Sequence, residues 1–276
     1  MKSDATRQLE AFFKVLAESS ASLLMLDYDG TLAPFSTRRD RAFPYPGVQD
    51  VLREVISTGR TRVVIVSGRD VREAASLLNL NPCPEIWGLH GLQRRQSDGV
   101  NLMCAPDQRT LDGLADADRW LAYQNLRGSV EFKSGSIAVH WRGLDELSAQ
   151  ELRARVLLGW RPIAERTGLE LLEFDGGLEI CSRYADKSEA VRFLLHALPP
   201  GAPSAYLGDD ATDERAFIAI QGHGLPVLVR PRWRKTKARL WLKPPDELLF
   251  FLTRWLEATT KRGANSLTAR GATVKP

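Results

Sequence analysis

Cysteine is scarce in this chain: three residues among 276, at Cys83, Cys104 and Cys181, odd in number and without metal-ligand spacing. That arithmetic argues against a disulfide framework and for reduced thiols, so a cytoplasmic location is expected. No apolar run approaches bilayer-spanning length, and the N-terminus carries no signal-peptide core, so no membrane partner is expected. Charge of one sign is also missing. The 38 Lys and Arg nearly balance 34 Asp and Glu, giving a net charge of +4. The one basic concentration is Arg230-Pro231-Arg232-Trp233-Arg234-Lys235-Thr236-Lys237. It matches no nucleic-acid module, so it reads as a solvated loop beside an anionic site, and nucleic acid is not an expected partner.

What is present is ample apolar material and a regular texture. At 43% hydrophobic residues the chain can bury one large core or two smaller ones. Residues 7–16 pattern as an amphipathic helix. Leu23-Leu24-Met25-Leu26 then runs straight into Asp27-Tyr28-Asp29-Gly30. A short apolar run of this kind is a buried strand of a parallel sheet, and such strands present working groups at their carboxyl ends. The alternative reading is a plain turn at Asp-Gly. A helix from Val48 to Thr58, a strand from Arg62 to Val66, a helix from Val71 to Leu78 and a strand at Glu85 continue a βα alternation.

Between about Pro106 and Arg183 the texture changes to helix, hairpin, helix, hairpin. The turns are Ser134-Gly135-Ser136 and Asp175-Gly176-Gly177. Alternation of βα type resumes at Lys187, with an apolar strand at Ala205 to Gly208 ending in Asp209-Asp210. The fold class is therefore α/β, a parallel-sheet core with helices on both faces, interrupted by an inserted α+β unit. The expected boundaries are 1–105 with 186–262 for the discontinuous core, 106–185 for the insertion, and a disordered tail at 263–276.

Four groups converge at strand ends: Asp27 with Asp29, Ser67, Lys187, and Asp209 with Asp210 and Asp213. Singly, Ser67 could cap a helix and Lys187 could be an ordinary helix-start charge. Carboxylates from two separated strand ends crowd like charge, which a hard divalent cation such as Mg²⁺ would relieve.

Asp27-Tyr28-Asp29-Gly30-Thr31-Leu32 resembles the first motif of the haloacid dehalogenase superfamily in its phosphatase form. Val66-Ser67-Gly68-Arg69 is similar to the second motif, Lys187 to the third, and Gly208-Asp209-Asp210-Ala211-Thr212-Asp213-Glu214 to the fourth. The resemblance implies a Rossmannoid core with a C2B-type cap. It implies Asp27 as nucleophile, Asp29 as acid/base, and Ser67 and Lys187 on phosphate oxygens. Mg²⁺ would be held by Asp27, Asp209 and the backbone of Asp29, with Asp210 and Asp213 positioning metal waters and Lys187.

Within the insertion, Val130-Glu131-Phe132-Lys133 and Ala138-Val139-His140-Trp141-Arg142 resemble the trehalose-6-phosphate phosphatase family, as does Ala238-Arg239-Leu240-Trp241-Leu242-Lys243-Pro244-Pro245. This implies a monomeric, Mg²⁺-dependent phosphatase acting on a small-molecule sugar phosphate, trehalose 6-phosphate. Glu131, Lys133 and Glu179 would contact sugar hydroxyls, with Gly68, Arg69, His90, His140 and Arg142 as further substrate-binding residues. On its own, the Glu131/Lys133 pair also fits a solvated cross-strand charge pair. Two departures from the family pattern stand out: Cys181-Ser182 replaces an Arg-Pro pair, and Gln93 replaces a Glu. These keep open another sugar or glycosyl-glycerate phosphate as substrate. A catalytically inactive sugar-phosphate-binding module is the remaining alternative.

Overall fold

The opening apolar run forms strand β1 (Ser22–Leu26), every residue of which is buried. Successive side chains of a strand face opposite ways. Leu24 and Leu26 accordingly enter one core, and Leu23 and Met25 another on the far face of the same sheet. This two-sided burial is why the run is continuous instead of alternating. The computed structural model describes residues 4–36, 38–103, 106–133 and 135–268, without the side chains of 4–6, 39, 133 and 261–268.

Helix α1 (Asp4–Glu18) precedes β1, and α2 (Val48–Ser57) and α3 (Val71–Leu78) flank β2 (Thr61–Val66). Strand β3 (Glu85–Gly88) is parallel to β2, and an antiparallel ribbon, β4 (Gln93–Arg95) and β5 (Asn101–Met103), extends that edge. The sequence pattern had not separated this ribbon from the loop after β3.

The insertion follows as α4 (Gln108–Tyr123), β6 (Val130–Lys133), β7 (Ser136–His140), α5 (Glu146–Thr167), β8 (Glu170–Phe174) and β9 (Gly177–Cys181). Its four strands form a separate antiparallel sheet in the order β6-β7-β9-β8. The two helices cover one side, closing a core around the fully buried Trp160 with Leu114, Leu121, Ile137, Val139, Leu178 and Ile180. Asp107 and Asp145 cap α4 and α5 by accepting the N–H of Thr110 and Ser148.

The chain re-enters the core through α6 (Lys187–His196), β10 (Ser204–Gly208), α7 (Glu214–Ile220), β11 (Leu225–Val229) and β12 (Leu240–Leu242). The large sheet runs β12-β11-β10-β1-β2-β3-β4-β5. Its strand order reverses at β1, which pairs in parallel with both β10 and β2. Ligands bind at such a switch point, beyond the carboxyl ends of the strands. Helix α8 (Asp246–Thr268) packs on the face shared with α1 and α2, burying Phe251 and Trp255, and Trp255 donates its indole N–H to Thr61 Oγ1 at 3.0 Å. Its backbone continues past residue 262, where a tail was expected to begin, and residues 269–276 of that tail lie outside the described residues.

Candidate active site

Because β1 and β10 are neighbours in register, their ends bring the two carboxylate motifs face to face. Asp27 and Asp209 are both buried, as are Lys187 at the start of α6 and Asp213 in the turn before α7. Lys187 Nζ donates to Asp27 Oδ1 at 2.7 Å and to Asp213 Oδ1 at 2.8 Å. Burial pulls the pKa of Lys187 down, but Asp213 and Asp27 outweigh it and raise it.

Asp213 has its oxygens fully committed. Tyr206 donates its hydroxyl to Oδ1 at 2.6 Å, and the N–H groups of Asp209 and Asp210 donate to Oδ2 at 3.0 and 3.1 Å. Burial would raise its pKa, yet Lys187 and these donors together hold it below the usual carboxylate range. Its part in the site is to anchor the loop and Lys187.

Asp209 is the opposite case. Its Oδ2 is buried without a hydrogen-bond partner. Burial, followed by repulsion from Asp27, Asp213 and Asp210, pushes its carboxyl well above the usual range. Burial also raises Asp27, against the pull of Lys187. Oxygen atoms of Asp27, Asp209 and Asp213 all lie within 4.8 Å of one another. Three carboxylates against one ammonium, with Asp213 committed and one oxygen of Asp209 orphaned, leave Asp27 and Asp209 as oxygen donors for a hard divalent cation. Gly30 lets Asp209 approach. Its φ is +82°, and a Cβ there would lie 2.3 Å from Asp209 Oδ2.

The Asp29 side chain lies apart from this trio. Arg69 clamps it in a bidentate pair, Nε to Oδ2 and Nη2 to Oδ1, both at 2.6 Å, while also pairing with Glu73 and sitting over the Tyr28 ring. Ser67 is buried, its hydroxyl accepts the Arg69 N–H at 3.1 Å, and it does not line the cavity. Its carbonyl accepts the N–H of His90, a residue with φ of +55°. The His90 ring presses on Gly68, where a Cβ would lie 2.7 Å from it. His90 Nε2 reaches across to Glu179 Oε2 at 3.1 Å, and Ser136 donates to the other oxygen of Glu179.

A cavity of about 480 Å³ lies between the two sheets. From the core it is lined by Asp27, Asp29, Gly68, Arg69, His90, Lys187, Asp209 and Asp210, and from the insertion by Glu131, His140, Arg142 and Glu179. Glu131 is hydrogen-bonded at 3.1 Å to Nε2 of its diagonal cross-strand neighbour His140, Ala138 being its register partner. The Lys133 side chain lies outside the described residues.

Sequence reasoning missed Phe35 and Phe174, which also line the cavity. The Arg142 guanidinium sits over both rings, at 4.5 and 5.9 Å. Nothing in their spacing marks them. The basic stretch does lie beside an anionic site. Arg230 and Arg234 donate to the Asp209 carbonyl at 3.2 and 3.1 Å, and Arg234 donates to the Asp210 carbonyl at 2.6 Å.

The trehalose-phosphatase family model matches residues 25–243. A protein of Oryza sativa subsp. japonica described as probable trehalose-phosphate phosphatase 9 is 30% identical over 275 residues, covering 86% of this chain and 70% of that protein. Probable trehalose-phosphate phosphatase 4 of the same organism is 29% identical, over 95% of this chain and 74% of that one. Among solved structures, the C. albicans trehalose-6-phosphate phosphatase C-terminal domain superposes with a TM-score of 0.79 at 22% identity, over 90% of this chain and 96% of that one.

Proposed function

The chain belongs to the trehalose-phosphatase family, and on that premise we propose that it hydrolyses trehalose 6-phosphate to trehalose and phosphate, with Mg²⁺ as cofactor. The observation that carries this reading is the buried Asp27–Lys187–Asp209 group at the floor of a cavity whose opposite wall bears Glu131 and Glu179. A reactive carboxylate and sugar-sized polar contacts thus face the same space.

Asp27 is the nucleophile: its Oδ2, which accepts from Thr31 Oγ1 at 3.3 Å, attacks phosphorus, the bond to the sugar 6-oxygen breaks, and an aspartyl-phosphate forms. Asp29 gives a proton to the departing sugar oxygen, then takes one from the water that hydrolyses the intermediate. Both Asp29 oxygens are held by Arg69, and an incoming phosphate offers that guanidinium a second anionic partner. Lys187 stays protonated, orients Asp27 through its 2.7 Å contact and carries positive charge toward the phosphoryl oxygens. Asp27, Asp209 and the Asp29 backbone carbonyl would hold Mg²⁺, which supplies the charge that lets an anionic carboxylate meet an anionic phosphate. Glu131 and Glu179 take sugar hydroxyls, which explains why carboxylates are kept at the cavity wall.

A cytoplasmic monomer fits the small, odd number of scattered thiols, and among the described residues no helix is long and apolar enough to cross a membrane. Phosphate release over a panel of sugar phosphates with Mg²⁺ tests the reading. Preference for trehalose 6-phosphate is expected. Preference for a glycosyl-glycerate or another sugar phosphate overturns the substrate, and binding without release by wild type and Asp27→Asn alike would leave an inactive module.

A further inference from the structure

The hairpin turn between β8 and β9 reaches from the insertion to the core, and every polar group of Asp175 is engaged there. Its N–H donates to Asp210 Oδ2 at 2.7 Å. Its carboxylate accepts from Arg230 Nη2 at 3.0 Å. Its carbonyl accepts from Arg142 Nε and Nη2 at 2.9 and 2.6 Å. Gly176 makes room for this arrangement, with φ of +89° and a Cβ position only 2.2 Å from Arg142 Cγ. Arg142 in turn lies over Phe35, a core residue, at 4.5 Å.

Arg230 has two ends in use. While Nη2 holds the Asp175 carboxylate, Nη1 holds the carbonyl of Asp209, the residue with the orphaned buried oxygen. Asp210, next in sequence, receives the turn's N–H directly. The turn of the insertion and the loop that bears the cation ligand are therefore tied twice, through a side chain and through a backbone group.

We propose that the Asp175 turn is a clasp that couples closure of the insertion over the cavity to the conformation of the Asp209 loop, with Asp175 and Arg230 as positioning residues. The ion pair is partly solvated, Asp175 being 54% and Arg230 20% exposed. Such a pair shifts an equilibrium by up to about five-fold. A shift of that size favours closure and still permits reopening for product release.

Amide hydrogen exchange of the Mg²⁺-free protein tests the coupling without substrate, in wild type, Asp175→Asn, Arg230→Gln and Arg127→Gln. Arg127 is a control for charge removal, because its pair with Asp118 at 2.6 Å lies within the insertion and outside both segments read. Loss of either clasp residue is expected to speed exchange, by up to about five-fold, both in the turn (170–177) and in the loop (205–213). The control should change neither. Faster exchange confined to the turn, no change in either segment, or an equal effect of Arg127→Gln overturns the proposal. A second arm rests on the phosphatase reading: Asp175→Asn should raise KM for trehalose 6-phosphate by a similar factor and that for an aryl phosphate by less, since the small substrate senses the Asp209 loop but is not enclosed by the insertion. Equal loss on both substrates overturns the link to enclosure. A wild-type protein that releases no phosphate sinks the phosphatase reading alone, and the exchange result still decides the coupling.

Discussion

Asp209→Asn should make the metal-free protein more stable and deprive it of its response to Mg²⁺. In the wild-type chain Asp209 Oδ2 is buried without a partner, among carboxylates that outnumber the one nearby ammonium. A buried acceptor left unsatisfied costs about 1–3 kcal/mol. The amide of an asparagine removes the charge and offers N–H groups toward Asp27. The variant should therefore gain about 1–3 kcal/mol. At 2–4 °C per kcal/mol for a chain of roughly this size, Tm rises by roughly 2–12 °C in chelator. Mg²⁺ at about a hundred times its Kd would add about 2.7 kcal/mol to wild type and much less to the variant. Thermal melts of both proteins in EDTA and in Mg²⁺ should thus show the wild type gaining on the variant, or overtaking it, as metal is added. A variant that melts below wild type in EDTA, or keeps the full Mg²⁺ shift, refutes the assignment of Asp209 as the cation's carboxylate.

Lys187→Met leaves Asp27 and Asp213 buried without their counter-charge, and removing one partner of a buried pair costs about 3–5 kcal/mol. Urea unfolding should show that loss, and a cost under about 1 kcal/mol would mean the lysine is not what neutralises the pair. Glu131→Ala should lower kcat/KM for the disaccharide phosphate about ten-fold or more, the usual size of a lost charged hydrogen bond, with little effect on a small aryl phosphate. Equal damage to both substrates would assign Glu131 to support of His140, which it contacts at 3.1 Å.

The core was legible because its chemistry is local. Asp27 and Asp29 stand at the end of a run whose two-sided burial dictates apolar residues throughout, and Asp209 and Asp210 repeat the device one strand away. Helix α3 spans 71–78 as its pattern required, with Asp70 as its cap. Both hairpins of the insertion were marked by glycine turns, and at Gly135 and Gly176 the backbone does take positive φ. The β4–β5 ribbon and β12 escaped notice because three-residue strands are too short to display a period. The orphaned oxygen of Asp209 and the clamp on Asp29 were invisible for a different reason. Each depends on which of many arginines and carboxylates meet across tens of residues of chain, and composition does not decide that.

The two departures from the family pattern show how far a motif can be read without its surroundings. Gln93 Oε1 accepts the N–H of Val71 at 3.1 Å, satisfying a donor in the first turn of α3, an acceptor's role that a glutamate could fill equally. Cys181 is fully buried against Leu89, Leu92 and Ala185, and Ser182 donates its N–H to the Gly135 carbonyl. Neither Cys181 nor Ser182 lines the cavity. Cys181 thus has a packing role at the base of β9. The polar group that does line the cavity is Glu179, two residues earlier on the same strand, with His90 and Ser136 fixing its carboxylate. Alternation along β9 places Cys181 and Glu179 on one face, so a small apolar thiol at 181 leaves the space beside that carboxylate uncharged. An arginine there would compete for Glu179, and its absence leaves the Glu179 carboxylate to His90 and Ser136.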